Sequence, residues 1–217
     1  MNRPTLALSL ALVLAWFPAS DCQGQLPGGF GIRVGANSSK VDSDLLSLSR
    51  VTGFQIAISR EFIRLPLLGL QVELEYSQRG FGNEQVETDG TGTVIAVREA
   101  VTRLHYLSLP VLARIRFPVS PKIGAYMLAG PRLDWRLDSS PGSWSFTTGA
   151  VQDDFSESLE TTSIGLILGL GAGVQIPSGA HFRIEIRRVM GISDLLPDVD
   201  AYTAKLWGVD FSLAVSL

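Results

Sequence analysis

Apolar and polar residues alternate along eight stretches of the chain. The pattern is clearest over residues 68–76, where one face carries Leu68, Leu70, Val72, Leu74 and Tyr76 and the other carries Gly69, Gln71, Glu73 and Glu75. Side chains that alternate with a period of two point to opposite faces of a β-strand. The pattern therefore predicts strands that each have one apolar and one polar face.

The order of these strands predicts a closed barrel. They are expected at residues 30–37, 52–62, 68–76, 102–117, 123–137, 164–176 and 182–187, with the last running from about residue 202 to Leu217. Long polar connections at 38–51, 80–98, 138–161 and 189–201 alternate with short turns. Such alternation puts every long loop on one rim and both termini on the other. We expect an all-β, eight-stranded antiparallel up-and-down transmembrane β-barrel with its long loops facing away from the cell.

The N-terminus has the pattern of an export signal. Arg3 precedes an apolar run over residues 6–17, which is followed by Pro18, Ala19 and Ser20. We predict a signal peptide at residues 1–24 and an outer-membrane barrel domain at residues 25–217. Cys22, the only cysteine, lies at this junction. A lipoprotein would lipidate Cys22, but Asp21 stands where a small residue is wanted, so we expect a cysteine that is removed or incidental.

The alternation by itself does not say which face points inward, because a soluble lipocalin-type barrel has the same period with its apolar side inside. Volume separates the two interpretations. The interior of an eight-stranded barrel is just wide enough for side chains to fill, and the large apolar residues here are too numerous to pack there. We therefore expect the apolar face to contact lipid in the outer membrane of a Gram-negative bacterium.

The polar face predicts a lumen filled by charged side chains. Its basic and acidic members nearly balance, as buried charges do when they are paired. Glycines on the same face would leave room for the long side chains opposite them. The predicted charge network consists of Arg33, Glu73, Glu75, Arg114, Arg116, Arg132, Asp134, Arg136, Arg183, Glu185, Arg187 and Asp210.

Aromatic residues near the ends of the predicted strands suggest where lipid meets water. Aromatic girdles are typical of barrel interfaces, although aromatics are also common in strands for other reasons. The predicted interface residues are Phe62, Tyr76, Phe117, Trp135 and Trp207. Pro110 and Pro131 fall within predicted strands, where proline removes a ladder donor, so we predict a β-bulge at each.

Five short motifs follow one another along the chain: Gly31-Ile-Arg-Val-Gly35, Glu73-Leu-Glu-Tyr-Ser-Gln-Arg-Gly80, Tyr106-Leu-Ser-Leu-Pro110, Ala129-Gly-Pro131 and Gly169-Leu-Gly-Ala-Gly173. In the order and spacing of these motifs the chain resembles the PorT-like outer-membrane β-barrel domain family of Gram-negative bacteria. The resemblance implies a fold and a location rather than an activity, since a few members serve protein export and gliding machinery and most have no assigned role. The last strand resembles a barrel-assembly signal at Gly208, Phe211 and Leu213, although it ends at Leu217 rather than at an aromatic residue.

Catalytic and metal-binding residues are sparse. His105 and His181 are the only histidines, and neither has a nucleophile and an orienting group at a matching spacing. A loop cluster of Asp153, Asp154, Glu157 and Glu160 is better explained as solvated than as a calcium site. A net charge of −3 does not suggest a nucleic-acid partner. We expect no enzyme activity, no metal and no cofactor.

The expected role is structural or interactive, with a plugged lumen and a possible place beside an export machinery. The expected partners are outer-membrane lipid, the barrel-assembly machinery and a possible protein at the long loops. Two alternatives remain open. One is a narrow, porin-like channel for solutes or anions, the latter suggested by the inward arginines, and the other is a lipid-active hydrolase.

Overall fold

The computed structural model describes residues 29–43, 48–88, 90–91, 94–120, 122–140, 160–177, 180–193 and 204–216. Its strands are β1 (Phe30–Ser43), β2 (Leu48–Arg64), β3 (Leu68–Thr88), β4 (Val94–Pro118), β5 (Ile123–Ser140), β6 (Thr162–Gln175), β7 (His181–Gly191) and β8 (Ala204–Ser216). Each strand pairs antiparallel with the next, and β1 also pairs with β8, so the sheet closes. No helix in the described ranges is long and apolar enough to cross a membrane. The predicted fold class is confirmed.

Buried and exposed side chains alternate along the strands as the sequence pattern predicts. In β8, Phe211 is 56% exposed whereas the adjacent Asp210 is 1% exposed. Apolar side chains cover the outer surface on every strand, far beyond the apolar patches that soluble monomers expose. The apolar face therefore points outward, and the lipocalin-type arrangement is wrong for this chain.

The hairpin between β3 and β4 corrects one expected loop. Residues 80–98 were predicted to form a loop, but β3 continues to Thr88 and β4 begins at Val94, with Val86 opposite Val97 in register. Similarly, β1 extends to Ser43 and β2 begins at Leu48 within the expected 38–51 loop. A strand beyond the lipid needs no apolar outer face, so the ladder continues after the alternation has ended.

The prolines within the strands do not create the predicted bulges. The β4–β5 register pairs Pro110 with Arg132 and Ala113 with Ala129, so no residue is inserted between these pairs. The described register shifts lie elsewhere, as between Glu61 and Ile63 on β2. A Cβ at Gly130 would overlap the Val111 carbonyl oxygen. Close approach of the strands at this glycine lets the ladder lose a proline donor without adding a residue.

Because the outer face is apolar, the free-energy cost of introducing a charged side chain there should depend on its position along the strand. Leu170→Arg places a cation near the middle of β6 on the outer face, where Leu170 is 55% exposed. We expect the free energy of unfolding to fall by about 2–4 kcal/mol, the usual cost of arginine at the centre of a bilayer. Urea-induced unfolding from lipid vesicles measures this change.

Thr162→Arg is the matched control, since Thr162 lies on the same face at the first residue of β6. Its cost should be about 0–1 kcal/mol, as near a membrane interface. Equal costs for the two variants would mean that the band around Leu170 does not contact lipid.

Candidate functional site

A charged network fills the lumen around two glutamates of β3. Glu73 accepts hydrogen bonds from Arg187 Nη1 and Nη2, both at 2.7 Å, and from Arg33 Nη2 at 3.1 Å. Glu75 accepts from Arg33 and from Arg132 Nη1, the latter at 3.0 Å. All five side chains are almost completely buried. The β3 carboxylates therefore join arginines from β1, β5 and β7.

A second branch connects β3 to β8. Arg79 Nη2 donates to Asp210 Oδ2 at 2.8 Å and to Oδ1 at 3.1 Å. In the amide orientation that satisfies its neighbours, Gln55 donates to Asp210 Oδ2 at 2.9 Å and accepts from Arg33 Nη1 at 3.0 Å. Gln55 thus bridges this branch to the β3 glutamates.

Arg132 extends the network along β4 and β5. Its guanidinium donates to Asp134 on its own strand and to the hydroxyl oxygens of Ser108, at 2.7 Å, and Ser77, at 3.2 Å. Hydrogen bonds to carboxylates and hydroxyls together offset the cost of burying an arginine.

A third branch runs toward the end of the barrel that carries the short turns, which we call the short-turn end. Glu185 accepts hydrogen bonds from Tyr126 Oη and from Arg187 Nε, the latter at 2.9 Å. Gln71 connects the network to Arg114, because it donates to Glu73 and accepts from Arg114. Toward this end, Arg114 Nη2 and Arg183 Nε lie 3.8 and 3.9 Å from Glu185 Oε1, beyond hydrogen-bond distance, whereas Arg116 pairs closely with Glu61.

Strand β6 provides the space for these side chains. A Cβ at Gly171 would overlap the Tyr126 ring, and one at Gly169 would lie 3.0 Å from Arg187 Cγ. Glycines on one strand therefore compensate for large residues on its neighbours.

The lumen is less polar than the alternation predicts. Two buried apolar clusters lie on its inner face: Val41, Leu104, Tyr106, Ala204 and Leu206 in one, and Leu112, Tyr126, Leu128, Ile167 and Val189 in the other. The first lies toward the rim opposite the short-turn end, which we call the long-loop end. The lumen is therefore filled by apolar side chains as well as by charged ones.

The structure places every predicted charge-network residue on the inner face, though to different depths. Arg116, Arg136 and Arg183 are only partly buried, whereas the others are buried. Sequence reasoning missed Arg79 and Glu61, both buried and ion-paired. Each occupies an inward-pointing position in an alternation already recognised on its strand. Following that alternation along the strand would have identified both residues.

The predicted interface aromatics all lie on the outer face. Phe62 and Phe117 are near the short-turn end, at 39% and 46% exposure, and Arg188 lies over the Trp207 ring at 5.1 Å. Tyr76 and Trp135 are less exposed.

The two histidines lie far apart. His105 Nδ1 contacts Tyr76 Oη at 2.7 Å on the outer face, whereas His181 begins β7 at the short-turn end. Asp153, Asp154 and Glu157 of the loop cluster lie outside the described residues, as do Cys22 and the predicted signal peptide. Within those residues, no group of three or more histidine, cysteine or acidic side chains is placed to hold a metal.

Because the charges of the network are buried and paired, removing one partner should greatly lower the free energy of unfolding. Glu73→Gln removes the carboxylate that Arg187 and Arg33 share and leaves Arg187 with Glu185 and Arg33 with Glu75. Breaking a buried pair typically costs about 3–5 kcal/mol. We expect a loss of this size in urea-induced unfolding from vesicles. Asp42→Asn, which breaks the exposed pair with Lys40, is the control and should cost below about 1 kcal/mol.

A double variant, Glu73→Gln with Arg187→Met, distinguishes pairing from packing. Because the two side chains share hydrogen bonds, its cost should be smaller than the sum of the single costs. Additive costs would contradict the pairing described above.

Comparisons with known proteins agree with this architecture. The sequence profile of a family described as "Outer membrane protein beta-barrel domain" matches residues 23–196. The crystal structure of OprG from Pseudomonas aeruginosa is 12% identical with a TM-score of 0.52, covering 91% of this chain and 99% of that one. At this identity the likeness concerns the fold alone.

Two further solved structures are more distant in shape. Neisserial surface protein A is 18% identical with a TM-score of 0.49, covering 87% of this chain and 96% of that one. Ail of Yersinia pestis, crystallised with the heparin analogue sucrose octasulfate, is 15% identical with a TM-score of 0.41, covering 87% and 99%. A search of curated protein sequences finds no match. Since the family profile covers most of the chain, including nearly all of the closed barrel, the chain belongs to the outer membrane protein β-barrel domain family.

Proposed function

We propose that this protein is a sealed outer-membrane barrel that presents the β3–β4 hairpin to a protein partner outside the cell. The observation that carries the proposal is the length of this hairpin. β3 has 21 residues and β4 has 25, whereas about 9–11 residues suffice to cross a bilayer. The surplus lies at the long-loop end, which faces outward in barrels of this topology.

Among the described residues, the far part of the hairpin extends past both neighbouring strands. The β2 ladder on β3 ends with Leu48 opposite Asn83, and the β5 ladder on β4 ends with Arg103 opposite Ser140. Beyond these pairs, residues 84–88 and 94–99 pair only with each other in the described part of the chain. Unpaired strand edges accept an additional strand through backbone hydrogen bonds, so the partner we propose binds by adding a strand.

The filled lumen supports a function as a membrane anchor rather than as a channel. A narrow anion channel would need its arginines available to passing ions, but Arg33, Arg132 and Arg187 are bonded to buried carboxylates in mid-lumen. The hydrolase alternative has less support, because His105 lies on the lipid face against Tyr76.

The remaining partners follow from the fold and from the motifs. The exposed apolar band would contact outer-membrane lipid, and the β8 residues Gly208, Phe211 and Leu213 would serve recognition by the barrel-assembly machinery. The motifs that resemble the PorT-like family add the narrower proposal that the barrel is an accessory to an export machinery.

The first test is conductance. In planar bilayers the purified barrel should carry negligible current, because mid-lumen is filled by paired charges and apolar clusters. A general porin, measured in the same bilayer, is the positive control. Steady open-channel currents of porin size would refute the sealed lumen and favour the channel.

The second test removes the hairpin. Deleting residues 84–99 and joining Asn83 to Ala100 through an Asn-Gly type I′ turn preserves the register, because these residues pair directly. We expect the shortened barrel to reach the outer membrane and to keep heat-dependent gel mobility. Photo-cross-links formed in intact cells from probes at the long-loop end should disappear.

A matched control alters the opposite rim by changing the 65–67 turn to Gly-Asn-Gly. This variant should retain the cross-links. Cross-links that survive deletion of the hairpin would mean that the partner binds elsewhere.

A further inference from the structure

The short-turn end contains a cavity of about 320 Å³ at the mouth of the lumen. It lies among β4, β5, β6 and β7 and is bordered by Pro66 of the β2–β3 turn and by Pro118 at the end of β4. The space exists partly because Gly124 lines it, and a Cβ there would meet only the Phe117 carbonyl oxygen, at 3.9 Å. We call this cavity the basic vestibule.

The charge of the basic vestibule is one-sided. Arg114, Arg116, Lys122 and Arg183 line it, and no carboxylate does so among the described residues. The nearest carboxylates, Glu61 and Glu185, are already engaged. Glu61 pairs with Arg116, and Glu185 accepts from Tyr126 and Arg187. The local excess of positive charge would be offset by an anion in the cavity.

Two arginines retain unused donors. The Nε atoms of Arg114 and Arg183 are buried and have no hydrogen-bond partner in the described part of the chain. The Arg114 side chain is only 4% exposed and stacks over the Tyr126 ring at 4.6 Å. A buried donor without a partner costs about 1–3 kcal/mol. Arg114 is therefore held in place at the wall of the cavity, with one buried donor unpaired among the described residues.

We propose that the basic vestibule binds a phosphate group that enters from the aqueous side of the short-turn end. Arginine forks match phosphate oxygens in geometry and charge. A volume near the lower limit of small-molecule pockets, about 300 Å³, suits a phosphate with a small substituent rather than a peptide. Two sources carry this chemistry: a free phosphorylated solute, or the headgroup of a phospholipid whose chains lie against the exposed Phe117 and Ile123 beside the cavity.

The first experiment titrates inorganic phosphate into the folded barrel in a non-ionic, phosphate-free detergent and follows the heat of binding. The wild-type barrel should bind saturably. Arg183→Gln removes one donor fork, and Gly124→Glu adds a carboxylate in open space, so each should weaken binding about ten- to a hundredfold. Arg103→Gln, an exposed outer-face arginine toward the long-loop end, is the matched control and should leave affinity unchanged.

Heat-dependent gel mobility verifies that each variant is folded, and Lys122→Gln, at an exposed turn residue, replaces any variant that is not. Absence of saturable binding to the wild type would overturn the proposal. Equal affinity in wild type and in the folded vestibule variants would do the same.

The source of the phosphate is resolved by repeating the titration in vesicles. If phosphatidylglycerol in phosphatidylcholine vesicles weakens phosphate binding more than an equal content of a phosphate-free anionic lipid does, headgroups compete for the vestibule and the ligand is a lipid. Equal affinity in the two kinds of vesicle assigns the vestibule to a free phosphorylated solute.

Discussion

The pairing of Glu73 and Glu75 with their arginines is the interaction on which the rest of the structure depends. A closed barrel in lipid has no free strand edge in the membrane, and its interior must be filled by its own side chains. Long side chains fill that interior, but each brings a charge whose burial is costly unless it is paired. Arg33, Arg132 and Arg187 reach these two carboxylates from three strands. One arrangement thereby fills the lumen and connects distant walls of the barrel.

Filling the lumen in this way requires strands whose inward side chains differ in size. β3 carries the acidic core, and β6 carries Gly169, Gly171 and Gly173, which leave room for the side chains of the neighbouring strands β5 and β7. The apolar clusters occupy inner-wall positions beside the charge network. A lumen with large residues on every strand would be overfilled, and one with small residues throughout would admit water and weaken the ion pairs.

The two ends of the barrel differ for the same reason. Carboxylates are concentrated in the middle of the lumen, so the arginines nearest the short-turn end share too few of them and border a cavity. At the other end, the ladder of β3 and β4 extends past those of the neighbouring strands as far as the chain is described. The two rims therefore differ in chemistry: among the described residues, one carries the extended β3–β4 ladder and the other carries the basic vestibule.

The alternation around Leu170, Phe211 and Glu73 determined the strands and the direction in which each side chain points, because a period of two is a property of the backbone. Volume then determined that the apolar face is outside. Strand limits beyond the lipid were not readable from residues 80–98, since a solvated ladder needs no alternation. Glu73 and Arg187 are 114 residues apart and meet only because closure and register bring β3 and β7 across one lumen. The tertiary structure decided such pairings, as well as the unshifted register at Pro110 and the vestibule beside Gly124. Each of these depends on which strands approach one another and how closely.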